Sequence, residues 1–172
     1  MPPEFRFCPQ CGSPLAPVQL AGRERQSCTT DSCRYVHWNN PTPVIAAIAE
    51  RNDHVILVRS HGWPEHWFGL VSGFLEQGES PEDAVRRETE EEIGLPARIE
   101  RFLGPYPFFQ MNQLLLVYHV RIPDGPVVLD QSELAAYREV PVHKLRPWPQ
   151  GTGPALGDWL RSRGFNPEPL AS

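Results

Sequence analysis

The sequence predicts a mixed α/β domain, of the α+β kind, behind a small cysteine-rich head. Three observations carry this. All four cysteines fall before residue 34. Two strand-length apolar runs, Val44–Ala49 and Val55–Val58, flank a polar turn. A well-capped helix then separates these runs from later strand-like segments. The boundary falls at a change of texture, giving a head over residues 1–40 and a main domain over 41–172.

The head is rich in Cys, Pro and Gly and has no helical periodicity. Arg51-Asn52-Asp53-His54 makes the two apolar runs a hairpin, and Ser60–Glu79 reads as loop. Ser80 as N-cap, Pro81 at the first helical position, and Glu82 and Asp83 in the first turn start a helix that runs to about Ile93. Gly94 supplies a left-handed cap and Pro96 prevents continuation. Strands are expected at Arg98–Leu103 and Leu114–Val120, separated by a turn-rich Gly104–Asn112. A short helix is expected around Glu133–Arg138, and a last one over Pro154–Arg163, ended by Gly164.

The chain has 172 residues, 40% hydrophobic and 22% charged, with net charge −5. That balance gives no overall field for a phosphate backbone, so nucleic acid is not the expected partner. An acidic protein acting on phosphates needs local positive charge, and bound metal is one source. No apolar run approaches the ~18 residues of a membrane span. The start MPPEFRFCPQC lacks the features of a secretory signal, so a cytoplasmic protein is expected.

Cys8-Pro-Gln-Cys11-Gly12 has the spacing of a metal knuckle: two thiolates two residues apart grip one ion, and Gly12 lets the chain turn. Cys28 and Cys33 form a second pair, and the sixteen residues between the pairs allow a short hairpin. Disulfides are disfavoured without a secretion signal. His37 is the one alternative ligand nearby. The reading is a closed, structural four-thiolate Zn²⁺ site, which in so small a head supplies most of the folding free energy.

On the central helix, Glu88, Glu91 and Glu92 stand at i, i+3 and i+4, on one face. Three carboxylates this close repel one another and call for a counter-charge. Mg²⁺, a hard ion that prefers oxygen and keeps waters and substrate phosphates in its shell, suits them. Arg87, one residue off the stripe, can fix a carboxylate through a forked pair of hydrogen bonds. Phe74 and Tyr106 are rings that could take a flat base, or simply pack in the core.

Gly73, five residues, Glu79, seven residues, then Arg87-Glu88-x-x-Glu91-Glu92-x-Gly94-Leu95 resembles the Nudix box at every charged and glycine position. Thr89 stands where that family usually has an aliphatic residue. The resemblance implies the Nudix fold, a mixed β-sheet sandwiched between helices, with Mg²⁺ (or Mn²⁺) held by Glu88, Glu91 and Glu92. It further implies a Gly73 carbonyl ligand, a carboxylate-orienting Arg87 and a structural role for Glu79. A zinc ribbon ahead of such a domain is similar to the bacterial NADH pyrophosphatases and short zinc-ribbon ADP-ribose pyrophosphatases. The joins Cys33-Arg-Tyr-Val-His-Trp-Asn-Asn-Pro-Thr-Pro43 and Trp148-Pro-Gln-Gly-Thr152 carry that likeness. Of the NADH enzymes' Ser-Gln-Pro-Trp-Pro-Phe-Pro signature, only Pro-aromatic-Pro-Phe survives, at Pro105–Phe108. By the same resemblance Glu133 is a downstream metal ligand or base.

The implied reaction is hydrolysis of the pyrophosphate bond of a nucleoside diphosphate linked to another moiety, of NADH/NAD or ADP-ribose type, releasing AMP. A nucleoside triphosphate or NAD-capped RNA is the nearest alternative substrate. A non-catalytic nucleotide sensor with a nucleic-acid- or protein-binding ribbon is the alternative of another class. A homodimer is the oligomeric state the family suggests.

Overall fold

The computed structural model describes residues 5–170, which form two compact units. One runs up to Pro41 and includes Gln110–Asn112; the other holds the rest. The first is a three-stranded antiparallel sheet of β1 (Leu15–Leu20), β2 (Arg23–Cys28) and β3 (Val36–His37), in that order. The two-residue link Ala21-Gly22 has positive φ at both positions, 51° and 74°, the geometry whose twist matches the flanking strands.

The second unit is built on a six-stranded mixed sheet. Its strands are β4 (Thr42–Arg51), β5 (His54–Ser60), β6 (Val71–Phe74), β7 (Arg98–Phe108), β8 (Gln113–Arg121) and β9 (Leu134–Pro141). The order is β7-β8-β4-β5-β9, with β6 also paired to β4. β4 and β8 run parallel, and the other pairs are antiparallel. β4 meets β5 only at Glu50 and Arg51, and over Val44–Ala47 it pairs with β6 instead.

Both faces of β4 are buried, as its unbroken apolar run requires. Val44, Ala46 and Ile48 face a core closed by α2 (Gly153–Ser162) through Ala155, Leu156, Trp159 and Leu160. Ile45, Ala47 and Ala49 face a core closed by α1 (Pro81–Ile93) through Ala84, Val85 and Ile93. The sheet is thus sandwiched between two helices. No helix among the described residues is long and apolar enough to cross a membrane.

Three segments differ from the sequence reading. Within the expected Ser60–Glu79 loop, Val71–Phe74 is a strand, recruited by the open edge of β4. Gly104–Asn112 is largely strand, because Gly104 (φ 128°) sits at a register shift of β7 instead of a turn. Pro105 and Pro107 are tolerated there because β7 is an edge strand. Glu133–Arg138 is not helical. From Leu134 it is strand β9, and pairing with β5 overrides the helix preference of Leu-Ala-Ala.

Candidate active site

Helix α1 begins as its sequence dictates. Ser80 Oγ accepts from the Asp83 backbone amide at 3.1 Å, and Gly94 (φ 70°) ends the helix by donating to the Glu90 carbonyl at 2.9 Å. Its inward face packs Ala84, Val85, Thr89 and Ile93 against the sheet. Thr89, the departure from the family pattern, is fully buried, and its hydroxyl donates to the Val85 carbonyl at 2.6 Å. No polar group is left unmet there.

Arg87 is the hub. Its Nε and Nη2 grip Glu79 at 2.8 and 2.9 Å, a bidentate fork. Its Nη1 donates to Glu88 at 2.8 Å and Glu91 at 2.9 Å, and Nη2 also reaches the Phe74 carbonyl at 3.2 Å. The fork with Glu79 chiefly, then Glu88 and Glu91, raises the Arg87 pKa, and Arg87 in turn holds Glu79 below the ordinary carboxylate range.

Gly73 lies beneath Glu88. A Cβ added at Gly73 would stand 1.9 Å from the Glu88 carboxyl carbon, so only glycine lets that side chain rest against β6. Burial raises the Glu88 pKa, with Glu91 and Glu133 adding repulsion against the pull of Arg87. Glu92 is the most perturbed of the set. It is 6% exposed, its Oε2 is buried without a hydrogen-bond partner, and its pKa is pushed up to about 8. Burial is the main cause; Glu88, Glu133 and Asp130 add repulsion, opposed by the Ser72 backbone amide. An orphaned buried carboxylate oxygen among other carboxylates is what a bound hard cation would satisfy.

Glu133 reaches this cluster through a loop laid over the end of α1. Val128 and Asp130 donate their amides to the Ile93 and Glu92 carbonyls at 3.0 and 3.2 Å, and His61 donates its amide to the Glu133 carbonyl at 2.9 Å. The structure therefore brings Gly73, Arg87, Glu88, Glu91, Glu92 and Glu133 together.

Phe74 and Tyr106 lie elsewhere. Tyr106 pairs with Leu115, Leu115 with Val44, and Val44 with Phe74, so the four form one row across the sheet on the α2 face. At ~4.8 Å per strand the two rings stand roughly 14 Å apart, too far to sandwich one base between them. Phe74 is exposed, whereas Tyr106 is half-buried and donates its hydroxyl to Asp158 of α2 at 3.0 Å. Sequence reasoning missed Asp158 and Ser72, which carry no motif signal.

In the first unit the four cysteine Sγ atoms lie within 4.8 Å of one another. Cys8–Cys33 and Cys11–Cys28 are 3.7 and 3.4 Å apart. A tetrahedral ion with Zn–S bonds of ~2.3 Å needs sulfurs ~3.8 Å apart, so the cluster is compatible with zinc. His37 stacks on Phe5, with ring centroids 4.2 Å apart, and does not enter the cluster.

The NAD-capped RNA hydrolase NudC of Pseudomonas syringae pv. tomato is 30% identical over 97% of this chain, which spans 60% of that relative's length. NudC of Vibrio atlanticus is 32% identical over 78% of the chain and 49% of the relative. A NUDIX hydrolase from Nitrosomonas europaea has the same fold, with TM-score 0.71 at 20% identity over 97% of both chains. An ADP-ribose pyrophosphatase from Streptococcus suis superposes with TM-score 0.59 at 19% identity, over 75% of this chain and 96% of its own. Residues 40–161 match the NUDIX domain, and with the acidic helix and its arginine hub inside that span, the chain belongs to the NUDIX family.

Proposed function

We propose that this chain is a Mg²⁺-dependent pyrophosphohydrolase that cuts a nucleoside diphosphate linked to a second moiety, of NAD(H) or ADP-ribose type, and releases AMP. The observation that carries the reading is the buried, orphaned oxygen of Glu92, with the carboxylates of Glu88, Glu133 and Asp130 close enough to repel it. Glu88, Glu91 and Glu92 would hold the metal, with the Gly73 carbonyl and Glu133 as further donors. Bound there, Mg²⁺ (or Mn²⁺) would neutralise phosphate oxygens and make a water easier to deprotonate.

Arg87 keeps Glu88 and Glu91 in fixed rotamers through its two Nη1 bonds, while Glu79 anchors the guanidinium from behind. Glu91, exposed on the outer side of the helix, or Glu133 takes the proton of the attacking water. Phe74 offers an exposed ring for a base, and Tyr106, held by Asp158, a second one further along the same face. The four cysteines would close a structural Zn²⁺ site that stabilises the head, residues 1–40. NAD-capped RNA is the second reading, supported by the names of the curated relatives.

The test is product analysis with NADH, NAD⁺, ADP-ribose, diadenosine polyphosphates and dGTP in Mg²⁺, using the wild type and Glu92→Gln. AMP from one dinucleotide with the wild type alone supports the reading. No cleavage of any substrate by the wild type overturns it in favour of a nucleotide sensor.

A further inference from the structure

Among the described residues, eight of the fifteen arginines pair with a carboxylate, and Arg59 and Arg138 do not. They stand on adjacent strands. Leu57 of β5 faces Arg138 of β9, and Arg59 is two residues further along β5 on the same side. That side is the α2 face, since Leu57 belongs to its core and the Arg138 guanidinium lies 4.1 Å from the centroid of Phe68, which packs on that core.

Arg59 Nε is buried with no hydrogen-bond partner. Diagonal neighbours on adjacent strands are roughly 7–8 Å apart, well within the reach of two arginine side chains to one anion. Two cations so placed, one with an unmet buried donor, repel each other until an anion joins them. In a chain of net charge −5, the pair is a local reversal of sign.

We propose that Arg59 and Arg138 form a binding site for a phosphate other than the two of the scissile pyrophosphate. The inference rests on the hydrolysis reading only for the identity of the molecule that brings it. Phe74 is on the same face, on β6, which is joined to β5 by the Val58–Gly69 bridge that precedes it. On this reading the phosphate is borne on the ribose of a nucleoside whose base lies at Phe74. Guanidinium forks suit its geometry, and Phe68 beneath Arg138 holds one fork in place. The phosphate has two sources: a 2′-monoester on a dinucleotide, or the 3′-diester that begins an RNA chain.

The experiment compares wild type, Arg138→Gln and Arg59→Gln by calorimetric titration with AMP, adenosine 2′,5′-bisphosphate and adenosine 3′,5′-bisphosphate, without Mg²⁺. Arg138 is exposed, so its variant keeps the test valid if loss of Arg59 disturbs the fold. The wild type should bind one bisphosphate about 10- to 100-fold more tightly than AMP, the scale of one charge-assisted phosphate contact. Arg138→Gln should erase that preference and leave AMP affinity and melting temperature unchanged. The favoured isomer identifies the source, and hydrolysis of NADPH or of NAD-capped RNA against NADH should then show the same ranking. Equal affinity of the wild type for AMP and both bisphosphates overturns the proposal, as does a preference that survives in Arg138→Gln. If the preference is present and arginine-dependent but no substrate is cleaved, the phosphate site stands and the hydrolysis reading fails.

Discussion

Replacing Glu92 by Gln should stabilise the Mg²⁺-free protein while abolishing its proposed activity. Glu92 has a pKa raised from 4.5 to about 8 in the folded chain. The folded state therefore keeps a proton that the unfolded chain releases. Its contribution is fully favourable below pH ~4.5, is lost progressively as pH rises toward ~8, and is flat above that. At pH 7 the loss is about 3 kcal/mol. Gln cannot ionise, but its buried amide inherits an imperfect set of partners at a cost of ~1 kcal/mol. The net gain of roughly 2 kcal/mol corresponds to a melting temperature about 4–8 °C higher for a chain of this size. The assay is thermal melting of both proteins from pH 5 to 9 with zinc retained and Mg²⁺ omitted. The difference should widen with pH, and millimolar Mg²⁺ should raise the wild type alone. A variant that melts lower than the wild type at pH 8, with a parallel pH dependence, would refute the reasoning.

Three further outcomes follow from the geometry. Gly73→Ala drives the Glu88 carboxylate away from β6; since the clash is with the tip of a flexible side chain, stability should fall by only about 1–2 kcal/mol while kcat drops ~100-fold. Parallel melting and rate measurements separate the two effects. Arg87→Lys keeps the charge but loses the fork on Glu79, and titration calorimetry should show Mg²⁺ affinity weakened about 10- to 100-fold. Cys28→Ser should remove stoichiometric zinc, measured by elemental analysis, and make the head sensitive to protease while the second compact unit stays protected.

The acidic helix was legible because each of its features is local. Cap, stripe and terminating glycine all lie within fifteen residues, Ser80–Gly94, and depend on helical geometry alone. The cysteine cluster was legible for a similar reason, spacing within two short knuckles. What stayed hidden depends on pairing. Nothing in Val71–Phe74 announces a strand until β4 offers an edge, and nothing in Leu134–Arg138 chooses strand over helix until β5 does. Glu50 was hidden too. It ends the apolar run of β4 fully buried, held by His119 and Arg163, each at 2.6 Å, and by Arg121 at 3.3 Å. Those partners come from β8 and from the cap of α2, more than sixty residues away in the chain. Tyr106 stands out in the sequence as a ring, but its tie to Asp158 spans two elements that no periodicity links.

Gly73 and Phe74 are successive residues of one short strand, so the pleat sends them to opposite sides of the sheet. Gly73 meets Glu88 on the side of the acidic helix, and Phe74 joins the row that ends at Tyr106 on the other. On the proposed reading, bond cleavage and partner discrimination fall to alternating parity within β6. Drift at one parity leaves the other untouched, which lets a lineage exchange one nucleotide for another while its reaction machinery stays constant. The same arrangement makes the strand intolerant of a shift in register. Deleting a single residue between Gly69 and Gly73 would swap both duties at once.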